Sequence, residues 1–137
     1  MTLVDSNVLL DVVTDGDAWA DWSQGQLEQA ASVGPLIIND VIYAEISTRY
    51  CAVEDVDAML RDLDIDVVTI SRSALFLAGK AYLRYRNVGG ARTGVLSDFF
   101  IGAHAAVEQW PLLTRDARRY RSYFPTVELI TPSEGGG

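Results

Sequence analysis

Short apolar runs alternate along the chain with longer stretches in which apolar positions recur every three or four residues. That alternation predicts strands and helices in turn. Residues 2–4 read as a short buried strand. Ser6 or Asn7 then caps a helix with Val8, Leu9, Val12 and Val13 on one side. Asp15-Gly16-Asp17 marks a turn, and Asp17 stands ready to cap a helix reaching about Ser32. On that helix Trp19, Trp22 and Gln26 share a face beside Leu27 and Ala30, and Gly34-Pro35 ends it. Residues 36–38 form a second strand, after which Asn39 or Asp40 caps a helix to about Tyr50. A further helix spans residues 54–63, and the β-branched run 66–70 is a third strand. Ser71 caps a long helix from Arg72 to about Asn87, followed by a glycine-rich loop at 89–94. Ser97 caps the next helix, to about Gln109. Strands at 111–113 and 127–130 flank a last helix at 117–123. Buried strands alternating with helices predict an α/β domain whose parallel sheet is covered on both faces.

Four acids break this apolar pattern. Asp5 closes the first strand, Glu45 interrupts Val41-Ile42-Tyr43-Ala44 and Ile46, Asp98 lies between Val95-Leu96 and Phe99-Phe100-Ile101, and Asp116 follows Leu112-Leu113-Thr114-Arg115. A carboxylate drawn into an apolar setting must be protonated, paired or bound to a cation. Four such groups suggest a shared site for hard metal ions, with Mg²⁺ or Mn²⁺ suited to carboxylate oxygens. Sheets of this kind bind ligands beyond the carboxyl ends of their strands, where Asp5 and Asp116 fall. Glu45 shares a helix face with Val41, Ile42, Ile46 and Arg49, on the core side. Asp98 sits in the first turn of its helix, whose N-terminus favours an anion, on the face of Ile101, Gly102 and Ala105. Gly102 allows close backbone packing there. Each acid also has a plain structural reading: Asp116 as a helix cap, Asp98 as a dipole partner, Asp5 as a turn residue, Glu45 as the mate of an arginine. An arginine standing where the cation belongs counts against a metal site.

Bulk composition narrows the class. The chain has 137 residues, 49% of them hydrophobic and 22% charged, which matches one globular domain. No apolar stretch approaches the roughly 20 residues of a membrane helix, and the start does not read as a secretory signal. A single cysteine, Cys51, has no partner for an intrachain disulfide and fits a reducing, cytoplasmic setting. The net charge of −8 looks wrong for a nucleic-acid binder, but its distribution does not. Residues 1–79 hold 14 acids and 3 bases; residues 80–137 hold 5 acids and 8 bases. All but one of the bases are arginine, the better side chain for phosphate oxygens.

Other chemistry is thin. Asp55, Asp57, Asp62, Asp64 and Asp66 read as a solvated acidic face or turn, and Asp15, Asp17 and Asp21 as turn, cap and surface. His104, the only histidine, lies among alanines with no second zinc ligand nearby, so it reads as a packed, hydrogen-bonded side chain. Cys51 has no visible base, and Gly89-Gly90 lacks the spacing of a phosphate-binding loop.

At the four acids the sequence resembles the PIN-domain family, and within it the VapC-type toxin ribonucleases. Val4-Asp5-Ser6-Asn7-Val8-Leu9-Leu10 resembles the family's opening motif, with Ser6 keeping the hydroxyl of the more usual threonine. Glu45 resembles its second acid, Leu96-Ser97-Asp98-Phe99-Phe100-Ile101-Gly102-Ala103-His104-Ala105 its third motif, and Leu112-Leu113-Thr114-Arg115-Asp116 its fourth. The resemblance implies a PIN-like three-layer α/β/α sandwich around a short, mainly parallel sheet, as one domain over residues 1–132 with a loose tail at 133–137. It also implies a metal-dependent endoribonuclease acting on single-stranded or looped RNA. By the same likeness the chain is a homodimer neutralised by a cognate VapB-like antitoxin, and Asp5, Glu45, Asp98 and Asp116 form the acidic site. Asn7 and Thr114 then orient ligands or water from behind.

The chemistry expected is phosphodiester hydrolysis by water activated at a divalent ion, with a second ion about 3.5–4 Å away if two are used. Asp5 and Asp98 are the expected direct ligands, Asp116 completes the site directly or through water, and Glu45 orients or deprotonates the attacking water. The products are a 5′-phosphate and a 3′-hydroxyl. Arg86 and Arg92, flanking the glycine loop, are candidates for the RNA backbone. Arg115 is placed either for RNA or to pair with an acid. Tyr82, Tyr85, Tyr120 and Tyr123 fall at helical spacing and read mainly as core, with stacking on RNA bases as the alternative. Three rivals remain open. An aspartyl-nucleophile phosphohydrolase also carries Asp after its first strand, but it wants a second Asp where Asn7 stands. The second is a non-catalytic RNA-binding module of the same fold, and the third a nuclease-like scaffold that acts only through dimerisation.

Overall fold

The computed structural model describes residues 1–14, 18–90 and 96–132. The predicted turn at 15–17, Arg92 in the glycine loop, and the tail at 133–137 lie outside the described residues. Chain order is β1 (Thr2–Val4), α1 (Ser6–Val13), α2 (Ala20–Val33), β2 (Leu36–Asn39), α3 (Asp40–Ser47), α4 (Val53–Asp62), β3 (Ile65–Val68), α5 (Arg72–Asn87), α6 (Leu96–Glu108), β4 (Leu112–Leu113), α7 (Arg118–Tyr123) and β5 (Leu129–Ile130).

The strands form one parallel sheet in the order β3-β2-β1-β4-β5. In register, Leu3 faces Ile37 on one side and Leu112 on the other, and Asp5 N donates to Leu113 O at 2.9 Å. β1, β2 and β4 are apolar and buried along nearly their whole length, as strands covered on both faces must be. The chain winds outward from β1 to β3, then returns to the far side of β1 for β4. Right-handed crossovers place the helices before and after that reversal on opposite faces of the sheet. α1 packs on α2, and α5 packs on α6. The reversal leaves a crevice at the carboxyl ends of β1 and β4, where open α/β sheets bind ligands.

Helix starts follow local hydrogen-bond chemistry, with departures from the predicted caps; the residue before α2 is Trp19, with no side-chain cap bond. Asn39 caps α3 by accepting from Ile42 N at 2.9 Å, and Ser71 caps α5 by accepting from Ala74 N at 3.2 Å. α1, however, is capped by Asp5 itself, whose Oδ1 accepts from Ser6 N at 2.8 Å, rather than by Ser6 or Asn7. Asp5 has the extended backbone that a cap needs, and Ser6 and Asn7 are already helical. Ser97 lies inside α6, so its hydroxyl is not spent on a cap. Asp116 does not cap α7; the residue before that helix is Ala117, with no side-chain cap bond.

The core is aliphatic at the sheet and aromatic under α5–α7. Leu3, Ile37, Ile38, Leu112 and Leu113 are fully buried. Phe99 meets Tyr82, Tyr85, Tyr123 and Phe124 with ring centroids 5.3–6.1 Å apart. Gly102 carries this packing: a Cβ there would meet the Phe124 ring at 2.3 Å, so the backbone of α6 approaches α7 only because the position is glycine. His104 is buried, its Nδ1 is 3.1 Å from Asn39 Nδ2, and its ring stacks edgewise on Trp110. This is the packed, hydrogen-bonded role expected of it, and burial pushes its pKa down.

Candidate active site

Asp5 is the centre of the crevice. It leaves β1 at the sheet's switch point and is 4% exposed. Its Oδ2 accepts from Thr114 Oγ1 at 2.8 Å and from Tyr120 OH at 2.9 Å, while Oδ1 takes Ser6 N. Despite these donors its pKa rises from 3.8 to about 6. Burial is the main cause; the bonds from Thr114 and Tyr120 pull the other way, and the charges of Asp98 and Glu45 push it up further.

Glu45 reaches the same crevice from α3. Its Oε1 accepts from Ser6 Oγ at 2.9 Å, and its Oε2 accepts from Ser97 Oγ at 3.0 Å. Its partners are therefore two hydroxyls, one from the residue after Asp5 and one from the residue before Asp98. Among the described residues no arginine pairs with it.

Asp98 projects from the first turn of α6. Arg119 Nη1 lies 2.5 Å from its Oδ2, and Tyr120 OH lies 3.5 Å from its Oδ1. Its pKa is raised, chiefly by burial; Arg119 opposes this, and Glu45 and Asp116 add to it. Asp116 is exposed beyond β4, its backbone N donating to Thr114 Oγ1 at 3.2 Å. The four acids thus belong to one electrostatic neighbourhood, since the burden on Asp5 comes from Asp98 and Glu45 and that on Asp98 from Glu45 and Asp116.

They do not converge into a cage. Among the described residues, no group of three or more His, Cys, Asp or Glu side chains is close enough to hold a metal ion together. An arginine stands against Asp98, the position expected of the cation. This corrects the expectation of a ready-formed carboxylate cluster. A part-buried carboxylate is relieved by a nearby guanidinium, and α7 supplies one.

Thr114 and Asn7 lie next to Asp5 in one hydrogen-bonded chain. Thr114 is buried and holds Asp5; Asn7 Nδ2 donates to Thr114 Oγ1 at 3.3 Å, and Asn7 Oδ1 accepts from Arg115 N at 3.2 Å. Arg115 itself turns away, pairing with Asp11. Arg86 is half-buried, with Nη1 3.4 Å from Gly90 O, so it braces the glycine turn. Sequence reasoning missed three participants: Tyr120, Ser97 and Arg119. The spacing of Ala117, Tyr120 and Phe124 marks a buried face of α7, but nothing in the sequence says where the Tyr120 hydroxyl goes. Burial and the charges of Asp5 and Asp98 drive its pKa well above the ordinary value, so it remains a donor.

A family model for the PIN domain matches residues 2–124. The chain belongs to the PIN-domain family. Solved structures agree in fold. VapBC2 of Rickettsia felis, bound to a DNA fragment from its promoter, is 17% identical, with a TM-score of 0.73 over 96% of this chain and 98% of that one. A toxin–antitoxin complex from Klebsiella pneumoniae is 21% identical, with a TM-score of 0.64 over 98% and 99%. VapC20 of Mycobacterium tuberculosis, a toxin that cleaves the sarcin–ricin loop, is 16% identical, with a TM-score of 0.61 over 93% and 99%. A search of curated proteins finds no match. The sheet order sets the carboxyl end of β1, which carries Asp5, beside that of β4, which leads to Asp116.

Proposed function

We propose that this PIN domain is a divalent-metal-dependent endoribonuclease acting as the toxin of a toxin–antitoxin pair. The observation that carries the reading is Asp5: a buried carboxylate at the switch point, burdened by two neighbouring acids and relieved only by hydroxyl and amide donors. The donor set is all oxygen, the kind that Mg²⁺ or Mn²⁺ takes, and so fits such an ion by its chemistry. Asp5, Asp98 and Asp116 would hold it once Arg119 leaves Asp98. When bound, it supplies positive charge at the scissile phosphate and makes a water more acidic.

The chain's own residues do the rest. Thr114 and Tyr120 fix the rotamer of Asp5, and Asn7 fixes Thr114. Ser6 and Ser97 clamp both oxygens of Glu45, which orients it to position the attacking water and take its proton. In-line attack with the 3′-oxygen leaving gives a 5′-phosphate and a 3′-hydroxyl. Arg86 and Arg92 remain candidates for the RNA backbone, Arg86 through the glycine turn that it braces. The partners follow from the same reading: an RNA substrate, a cognate VapB-like antitoxin and a second copy of the chain, all cytoplasmic. One of the solved structures of like fold is a toxin–antitoxin complex, and another is a toxin that cleaves the sarcin–ricin loop, which supports this choice.

The aspartyl-nucleophile alternative loses ground at Asn7: the second carboxylate it wants is an amide that donates to Thr114 Oγ1 and accepts from Arg115 N. The non-catalytic RNA-binding alternative keeps one observation in its favour, the Arg119–Asp98 pair. Mapping cellular RNA ends after expression of wild type beside Asp98→Asn tests the proposal. Discrete new ends with wild type alone are the expected result. The same ends from both proteins would remove Asp98 from the chemistry, and RNA binding with no cleavage would favour the binding module.

A further inference from the structure

Between the last turn of α5 and α7 lies a cleft of about 420 Å³, open to solvent and adjoining the acids. Its walls include Tyr85, Asp116, Arg118, Arg119, Ser122 and Tyr123. Its floor is shaped by two glycines. Gly89 takes φ +91°, a left-handed turn that favours glycine. At Gly90 a Cβ would meet the Tyr85 ring at 2.4 Å, so glycine lets the backbone lie against that ring.

The cleft has three properties. It is sized for one small polar ligand and too small for a duplex. Its basic side is exposed Arg118 together with Arg119, and among the described residues Arg118 has no carboxylate partner in reach. It is coupled to the acidic crevice through two residues. Asp116 lies on its wall and is felt at Asp98, while Arg119 lines the cleft, covers the Tyr85 ring at 5.5 Å and places one nitrogen on Asp98.

We infer that this cleft seats one nucleotide of single-stranded RNA next to the scissile phosphodiester. Arg118 and Arg119 take the phosphate oxygens, and the Tyr85 and Tyr123 rings wall the ribose and base. Arg119 is a positioning residue, tying the occupied cleft to Asp98. The inference deepens the ribonuclease reading and rests on it for the substrate class. It differs from the loop assignment of Arg86 and Arg92 in naming α7 as the RNA-facing element.

The test uses the full chain, wild type beside Arg118→Ala and Ser122→Glu. Both positions are exposed, and among the described residues neither side chain forms an ion pair with any of the four acids. Anisotropy of a fluorescein-labelled, unstructured RNA oligonucleotide is followed over a salt series without divalent cations, and cleavage is followed with Mg²⁺. Arg118→Ala is expected to weaken RNA binding about fivefold and to flatten the log–log salt slope by about 0.7, the value of one single-strand phosphate contact. Ser122→Glu puts an anion on the wall and is expected to cost roughly tenfold. Both should raise KM more than they lower kcat, and Arg118→Lys should restore most of the binding. Affinity and salt slope like wild type in both variants would overturn the inference, as would a wild type that binds no RNA. The two readings separate: binding that responds to the variants in a chain that never cleaves keeps the cleft and removes the nuclease, and cleavage by variants of unchanged affinity does the reverse.

Discussion

Two arginine–aspartate pairs flank the crevice, and they are built differently. In the first, Arg115 grips Asp11 with two nitrogens, at 2.6 and 3.0 Å. Asp11 is 2% exposed and also accepts from Ser23 Oγ at 2.7 Å, while the guanidinium covers Trp19 at 5.3 Å. In the second, Arg119 meets Asp98 with one nitrogen, and both side chains are 28% exposed. The first pair is a strut joining α1, α2 and the loop after β4. Breaking it strands a buried charge. The second is a single-point contact beside a cleft, where water and ions compete for both partners. Asp98 stays raised in pKa even with Arg119 against it, because burial outweighs the arginine. The same two residue types therefore serve stability in one place and leave an exchangeable charge in the other. Denticity and burial make the difference.

The contrast can be broken most sharply at Asp98. Asp98→Asn should lower the cleavage rate by on the order of 10²-fold or more while the melting curve barely moves, since a part-exposed pair contributes at most about 1 kcal/mol. Loss of folding without a specific loss of cleavage would show that the second pair is a strut too.

Arg115→Ala should do the opposite. It should cost about 3 kcal/mol in urea unfolding by leaving Asp11 buried and unpaired, with cleavage falling only as the folded fraction falls.

Acid should relieve the crevice. Asp5 has a folded pKa of about 6 against an ordinary 3.8. A carboxyl raised in this way favours the fold most when protonated, so its contribution is full below 3.8 and is lost as pH rises through 6. The metal-free chain should gain roughly 1 kcal/mol from this group between about pH 7.5 and about pH 5, and that gain should be missing from Asp5→Asn. An identical pH profile for the two proteins would move the repulsion elsewhere.

The smallest effect sharpens the exchangeable pair. Arg119→Gln removes a competing cation, so Mn²⁺ titrated against the RNA-free chain and followed by electron paramagnetic resonance should bind about fivefold more tightly. Weaker or unaltered binding would mean that Arg119 does not compete for Asp98.

Much of the architecture could be read from the chain. The strand at residues 2–4 and the helix after Ser71 fall where the pattern places them, because period and cap chemistry are local properties. The four acids stood out because a carboxylate in an apolar run needs a reason. The predicted caps at Ser6 and Ser97 failed because both residues already lie within their helices; each hydroxyl instead donates to a distant carboxylate, Glu45, that a local rule cannot see.

What the chain order could not disclose is which group balances which charge. Tyr120 meets Asp5 across 115 positions and Thr114 meets it across 109, and both meetings exist only because β4 lies beside β1. Both arginines follow β4 closely in sequence, yet one turns to α1 and the other to α6. Side-chain spacing along an element is local geometry and can be counted in advance. Electrostatic pairing depends on distances set by the packed sheet, and becomes definite only once the whole domain has closed.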